Sequence, residues 1–474
     1  MSFNSAQILA ITHTEGPCMV LAGPGSGKTT VITRRIESLI QDHKVSPEEI
    51  LVITFSKAAA KEMRERFFAL SAAENQGVTF GTFHGGYYGI LRWDYQLRPT
   101  CIMSEKEKLS ILRQVCEKRN TDYREDLDFL KSLAEEIGIV KNNLISLDAY
   151  GSTCCEADRF CQIYRLYEEM RTKRRKMDFD DMLLMTYQLF QERPDLLHIW
   201  QKKFRYIMVD EFQDINQVQY EVLKMLAAPR NNLFIVGDDD QSIYKFRGAN
   251  ISNILDFEKV FSDAKVIKLE QNYRSTQNIL DAANEVIKNN IERKDKALWT
   301  NQGPGERLHY RQFDTAYEEA EYIAFEILKK RRNAEADFGD CAILYRTNAQ
   351  SRILEERFVR EGIPYELVGG TNFYSRKEIK DMLAYLKTID NGKDDLAVKR
   401  IINVPKRGIG AATLSKVQDY ADEMGISFFD AMCRAEQITT LGKSGAKLMP
   451  FVNMIQVFRS KVSIYGLKKL MEDI

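Results

Sequence analysis

The stretch VGDDDQSIYKFRGAN, from Val236 to Asn250, sets three consecutive carboxylates, an amide, two aromatic rings and two cations within a few residues. Acids are costly to bury, and Tyr244 and Phe246 would be idle in a solvated loop. Neither a core nor an ordinary surface accounts for the mixture. Two other stretches also have chemistry in their spacing. AGPGSGKTT follows the apolar run CMVLAG and opens a helical pattern, the context that a phosphate-binding loop requires. Ala22, Gly23, Pro24, Gly25, Ser26 and Gly27 supply small or turn-forming residues whose N–H groups can curl round a β-phosphate. Lys28 would reach the β/γ oxygens and Thr29 would hold Mg²⁺, with Thr30 closing the run. Taken alone, the segment also reads as a structural glycine turn. YIMVDEFQD brings Asp210 and Glu211 to the end of a short apolar strand, where ligands of open α/β sheets sit. Asp210 would bind Mg²⁺ through water, and Glu211 would orient and deprotonate an attacking water. A lone acidic pair reads as a solvated turn; in a chain with a phosphate loop it reads as the second half of a nucleotide site.

The elements that must position these groups follow from periodicity. Short apolar runs, CMVLAG, ILVITF, YIMVDEF, NLFIVGD and KVIKLEQ, are each followed by a helical pattern. That alternation predicts a parallel sheet covered on both faces. Between about Tyr87 and Met185 the pattern changes to long polar helices, with the basic run RTKRRK at Arg171, and reads as a helical insertion. A second alternation begins near Ser275, with LHYRQF, a helix from Tyr317 to Lys330, DCAILYR, a helix through Ala349–Arg360, and YELVGG. Beyond about Asn391 the sequence is helical again, opening on the turn VPKRGIG. The fold class expected is α/β, with two parallel-sheet units that each carry a helical insertion.

At 474 residues the chain is too long for one ordinary core. With 68 Lys+Arg against 68 Asp+Glu the net charge is zero, so a nucleic-acid surface must be a local basic stripe rather than a global field. The eight cysteines are scattered and no paired CxxC spacing suggests zinc, which fits reduced thiols in a cytoplasmic protein. No run approaches membrane-spanning length, and the N-terminus lacks a cationic start before a long apolar stretch.

Read in order, FNSAQ, AGPGSGKTT, TFSKAAAKEM, GTFHG, DFDDMLL, VDEFQD, VGDDDQSIYKFRGA, LEQNYRST, LYRTNAQSR, FYSRKEIKDMLAYL and NVPKRGIG resemble the UvrD/Rep/PcrA-type superfamily 1 DNA helicases almost from end to end. The resemblance implies two RecA-like P-loop domains with ATP between them, each with a helical insertion. It places the first RecA-like domain at 1–86 and 186–275, its insertion at 87–185, the first part of the second RecA-like domain at 276–391 and a partial insertion at 392–474. It also implies roles. Gln7 would read the adenine edge and Tyr273 would stack on the ring; Gln241 would contact the γ-phosphate, and Arg274 would approach it from the second domain. The opening stretch would then be a coupler, with Gln241 sensing phosphate while Tyr244, Phe246 and Arg247 lie towards single-stranded DNA. Phe246 stands where the family usually has tryptophan. Base stacking on a ring contributes roughly 1–3 kcal/mol.

The same carry-over makes Phe55 a stacking platform and sets Thr82 and His84 along the DNA backbone. Where the family usually reads T-N-K-A-A this chain has SKAAA, which puts that contact in doubt. In PKRGIG, N–H groups at a helix start flanked by Gly408 and Gly410 could hold a duplex phosphate, with Lys406 and Arg407 adding charge; a simple turn is the alternative. Arg346 and Arg352 are weaker candidates for backbone contacts. Two later family motifs, T-x-H-x-x-K-G-L-E and R-R-L-x-Y-V-A-x-T-R-A, do not occur before Ile474. The chain is therefore expected to be the N-terminal portion of such a protein, with its second sheet incomplete. The function expected is an ATP- and Mg²⁺-dependent 3′→5′ helicase acting on single-stranded DNA and single/double-strand junctions. Repair or replication proteins stay open as partners. A nucleotide- and DNA-binding module without unwinding, or a subunit completed by a partner, is the alternative.

Overall fold

A computed structural model describes residues 3–70, 77–97, 101–118, 126–368, 377–462 and 464–474, the side chains of Leu70, Arg247 and Lys443 excepted. The chain divides into two compact units, residues 1–309 and 310–474.

The first unit is built on six parallel strands in the order β3-β2-β4-β5-β1-β6. They are β1 (Cys18–Ala22), β2 (Ile50–Thr54), β3 (Thr79–Thr82), β4 (Tyr206–Val209), β5 (Leu233–Gly237) and β6 (Lys265–Leu269). Every residue of β1, β2, β4 and β5 is buried, which is why these strands read as unbroken apolar runs. The edge strands β3 and β6 are half-buried and accordingly more polar. Alternation along each inner strand divides its residues between two cores. Met19, Leu21, Leu51, Ile53, Ile207, Val209, Leu233 and Ile235 face one. Cys18, Val20, Ile50, Val52, Tyr206, Met208, Phe234 and Val236 face the other.

The second of these cores lies under α1 (Ser5–Thr12), α2 (Lys28–Gln41) and α3 (Lys57–Leu70). The first lies under α4 (Phe83–Tyr95) and, after the insertion, under later helices. The insertion packs α5 (Glu105–Lys118), α6 (Leu127–Asn142) and α7 (Ala157–Lys173) round their own core, centred on Leu112, Leu133, Ile137, Phe160 and Ile163. It is joined to α8 (Phe179–Glu192) by a buried ion network. Lys141 Nζ lies 2.7 Å from Asp181 and 2.7 Å from Glu168, while Lys108 lies 3.2 Å from Asp178 and 3.0 Å from Asp180. Arg171, which opens the basic run of the sequence, belongs to this network through Asp181 and Glu168 rather than to a solvated cationic face. The chain continues through α9 (Pro194–Lys203), β4, α10 (Gln217–Ala227) and β5, then two short helices, α11 (Ser252–Leu255) and α12 (Phe257–Val260), and finally β6 and α13 (Gln277–Ile287).

The second unit contains α14 (Ala316–Arg332) and α15 (Ser351–Glu361), packed through Ala324, Phe358 and Ile363. It also contains a larger helical cluster, α16 (Lys377–Asp390), α17 (Asp395–Ile401), α18 (Ala411–Met424), α19 (Phe428–Cys433), α20 (Met449–Val462) and α21 (Leu467–Asp473). Both helices expected near residues 317–330 and 349–360 form. The expected strands LHYRQF, DCAILYR and YELVGG do not pair into a sheet among the described residues, and Gly369 and Gly370 of the last lie outside them. A strand exists only through its ladder, and Leu344, in the middle of the second run, is 96% exposed. Residues 276–309 group with the first compact unit. No described helix is long and apolar enough to cross a membrane.

Candidate functional site

Because the strands are parallel, the turns after β1, β4, β5 and β6 all leave from one edge of the sheet. After β1 the chain makes a tight loop: Ser26 Oγ donates to Gly23 O at 2.7 Å, and Gly25 and Gly27 take φ +69° and +89°, a left-handed backbone that favours glycine. A Cβ on Gly23 would lie 2.2 Å from Leu298 Cδ2, and one on Gly25 would lie 2.6 Å from the Asn272 amide nitrogen. A side chain at either glycine would thus require Leu298 or Asn272 to shift. Gly27 is the N-cap of α2, so Lys28, Thr29 and Thr30 form that helix's first turn with their N–H groups unspent.

The turn after β4 supplies the acids. Asp210 is buried and its N–H is held by Ile53 O at 2.9 Å. Burial, and then the neighbouring Glu211 carboxylate, push the Asp210 carboxyl up to about 6. Glu211 has φ +52°, an uncommon backbone for a non-glycine residue. Its Oε2 lies 3.3 Å from Lys28 Nζ and accepts from Gln213 Nε2 at 2.8 Å. Asp214, quoted in VDEFQD but given no role in the sequence reading, sits beside them; burial and Glu211 raise it to about 7, and its buried Oδ1 has no hydrogen-bond partner.

On the other side of the loop, Gln7 is buried on α1 and donates to Ser26 O at 3.0 Å. The Tyr273 hydroxyl lies 3.0 Å from Gln271 Oε1 and 3.4 Å from Gln7 Oε1, and Asn4 Nδ2 donates to it at 3.1 Å. Asn4, Gln271 and Tyr273 border a cavity of 390 Å³ walled further by Thr300, Asn301 and Gln302. Asn272, which the sequence reading passed over, ties this side to the loop: its Nδ2 donates to Pro24 O at 2.6 Å, and its Oδ1 accepts from the N–H groups of Arg274 and Ser275. Arg274 therefore follows β6 within the first unit, which corrects the expectation that it approaches from a second domain. A buried asparagine in LEQNYRST was the available signal.

The opening run is resolved by an unforeseen partner. Asp238, Asp239 and Asp240 converge on the ammonium of Lys296, and Asp240 also receives Arg293 in a two-point pair at 3.0 and 2.8 Å. Their oxygens cluster closely enough to hold a metal ion, but the lysine already occupies their centre. Gln241 follows, with its amide nitrogen on Asp238 Oδ2. The aromatic residues then form a ladder: Phe55 stacks on Tyr244 with centroids 5.1 Å apart and planes at 27°, and Tyr244 meets Phe246 at 5.9 Å. Phe55 is 40% and Phe246 69% exposed. The side chain of Arg247 lies outside the described residues.

Thr82 caps α4, accepting from Gly85 N–H at 3.2 Å, and His84 meets the exposed Phe179 ring edge-on at 5.7 Å. Burial lowers the His84 pKa, which keeps the imidazole neutral at neutral pH. In the second unit Arg346 is exposed, with its N–H on Gln350 Oε1, and Arg352 pairs with Glu356 at 3.0 Å. Gly408 has φ +69°, Gly410 is the N-cap of α18, and Lys406 is exposed. Arg407 corrects its expected role. Its guanidinium turns inward at the C-terminal end of α17, donating to the carbonyls of Ile401, Ile402 and Val404 and to the Tyr385 hydroxyl at 2.7 Å.

Comparison with known proteins places two family models on the chain. The UvrD/REP helicase N-terminal domain matches residues 3–262, and the UvrD-like helicase C-terminal domain matches residues 267–446. The second match overturns the expectation that the chain carries only the family's N-terminal portion. Similar relatives include proteins named ATP-dependent DNA helicase PcrA from Staphylococcus aureus (strain Mu50), 43% identical over 99% of this chain, and from Staphylococcus epidermidis (strain ATCC 12228), 43% identical over 100% of it. The matched region is 65% of each relative's length, so the chain spans slightly less than two thirds of them.

Proposed function

The chain belongs to the UvrD/REP helicase family, and on that premise we propose that it is a DNA-dependent ATPase that translocates 3′→5′ on single-stranded DNA and separates strands at single/double-strand junctions in the cytoplasm. One observation carries the reading: Lys28, in the first turn after a tight glycine-rich loop, lies 3.3 Å from Glu211 at the same end of the sheet. A polyphosphate at the α2 N-terminus would draw Lys28 onto its β/γ oxygens and leave Glu211 to accept a proton from the attacking water. Gln7 and Tyr273 would hold the adenine, and Gln241 and Arg274 the γ-phosphate.

Mg²⁺ suits the donor set. Thr29 and Asp210 are hard oxygen ligands, and the unpartnered Asp214 Oδ1 beside them gives a hydrated cation a further acceptor. Bound there, it would neutralise phosphate charge. Single-stranded DNA would lie along Phe55, Tyr244, Phe246, Arg247, Thr82 and His84. In the second unit Arg346, Lys406, Gly408 and Gly410 are proposed for backbone contacts.

The test is ATP hydrolysis with and without single-stranded DNA, together with separation of a duplex bearing a 3′ tail, in the chain and in Glu211→Gln. The chain should show DNA-stimulated turnover and strand separation, and the variant should retain ATP binding while losing turnover by at least about a hundredfold. Binding of both ligands without turnover or separation would favour the non-unwinding module instead.

A further inference from the structure

The cations around the Asp238–Asp240 run do more than balance its charge. Lys296 is buried, and its ammonium lies 3.0 Å from Asp238 Oδ1, 2.6 Å from Asp239 Oδ1 and 2.7 Å from Asp240 Oδ2. An ammonium has three protons, and three carboxylate oxygens surround it. The segment that carries it is pinned on both sides. Lys294 N–H donates to Asp239 Oδ2 at 2.6 Å and Arg293 grips Asp240. Further on, Asn284 of α13 brackets Leu298 through both its N–H and its carbonyl, and Trp299 N–H reaches Glu270 O at 3.1 Å. The lysine is thus delivered by a strap of fixed length rather than by a loose surface loop.

The acid at the centre faces two ways. Asp238 Oδ1 takes Lys296 and the N–H of Asp240, and Oδ2 takes the Gln241 amide at 2.5 Å. The Asp238 N–H in turn donates to Gln213 Oε1 at 3.0 Å, and Gln213 Nε2 donates to Glu211 at 2.8 Å. Gln213 is buried and packs close against Gly237, where an added Cβ would lie 2.8 Å from its Oε1. One continuous chain of contacts therefore links Lys296 through Asp238 to Gln241 on one side and to Glu211 on the other. Asp238 is fully buried, and a buried acid that loses its cation is left without compensation for the water it gave up. Without the ammonium, Asp238 would turn towards another donor, and Gln241 would lose the acceptor that fixes its amide.

We propose that Lys296 is a positioning residue for phosphate sensing, holding the Asp238 carboxylate as the acceptor that orients the Gln241 amide and, with it, the Asp238 main-chain N–H that fixes Gln213 beside the Glu211 carboxylate. The proposal rests on the reading of Gln241 as a γ-phosphate contact, and its test separates the two. The readout is the affinity ratio between a non-hydrolysable β,γ-imido analogue of ATP and ADP, measured on the full chain with Mg²⁺, so that it does not depend on turnover. The variants are Gln241→Ala, Lys296→Met and their combination, with Lys296→Arg as the conservative change. Gln241→Ala should reduce the preference for the triphosphate analogue by about tenfold, the size of one hydrogen bond to a charged group. Lys296→Met should reduce it nearly as far, the combination should add no more than about twofold, and Lys296→Arg should recover most of it.

A wild-type preference in Lys296→Met beside a lost preference in Gln241→Ala would overturn the proposal alone. An unchanged preference in Gln241→Ala would overturn the γ-phosphate reading and the proposal with it. Additive losses would assign Lys296 a separate effect and equally overturn the relay. Should Lys296→Met fail to fold, Lys296→Met with Asp239→Asn removes one unpaired acid while leaving Asp238 without its cation. That variant is expected to show the same lost preference, and a retained one overturns the relay.

Discussion

Asp214 shows how one residue's surroundings decide its behaviour. Its carboxyl is pushed up to about 7 by burial and by the Glu211 carboxylate. A carboxylic acid whose folded pKa is raised binds its proton more tightly in the folded chain than in the unfolded one. Between its ordinary value of 3.8 and about 7, the folded state therefore holds more protons and stability falls as pH rises. Asp214→Asn removes that dependence. In the presence of a metal chelator, the variant should be more stable than the parent by ~1–2 kcal/mol near pH ~8, a figure discounted because the group is only partly desolvated. The difference should vanish near pH ~3.5, where the acid is protonated in both states. Urea unfolding at the two pH values measures it, and an equal gain at both would assign the effect to packing instead of charge.

At the scale of elements, the aromatic ladder joins two connections that are far apart in sequence. Phe55 leaves the end of β2, while Tyr244 and Phe246 flank and lie on a short turn after β5 that includes Lys245–Arg247. β2 and β5 run parallel on either side of β4 and finish at the same end of the sheet, so Phe55 can lie on Tyr244 while Phe246 stays open to solvent. An exposed ring is a platform for any base, because every base has a π-face. Phe246→Ala should weaken single-stranded DNA binding by ~1–3 kcal/mol without altering ATP affinity. Binding of the parent should fall steeply with salt and depend little on base sequence. Fluorescence anisotropy on oligonucleotides of two compositions, at two salt concentrations, checks all three statements. A strong preference for one base sequence would count against stacking as the source of affinity.

At the scale of the whole molecule, the chain divides into compact units at residues 309 and 310. The first unit reaches that far for a chemical reason, because Arg293 and Lys296 belong with the acids they pair with. A chain of residues 1–309 should fold and bind the ATP analogue. A chain of residues 1–275 would leave three adjacent carboxylates without their cations, and losing the partner of a buried ion pair costs about 3–5 kcal/mol. The shorter chain should therefore unfold at lower denaturant concentration or be recovered as aggregate, which circular dichroism and gel filtration distinguish. Equal stability of the two would mean that the strap contributes nothing to the first unit.

The sequence alone determined the elements whose cause is local or periodic. Unbroken apolar runs marked the buried strands, the glycine loop after CMVLAG marked the turn into α2, and VDEF marked the acids at the end of β4. Helices 316–332 and 351–361 were legible from their spacing. Long-range partners were not, because sequence shows which residues carry charge but not which ones the chain brings together. Lys296 lies 57 positions from Asp239 and reads as one more cation in a polar loop, yet it is the counter-ion for all three acids. Arg407 read as an exposed phosphate contact, and only the packing of α16 against the turn shows its guanidinium spent on carbonyls and Tyr385. The runs at 308–313 and 340–346 carry the composition of strands, but a strand is made by its neighbours. Burial and pairing, which depend on where the rest of the chain lies, were decided by the tertiary structure.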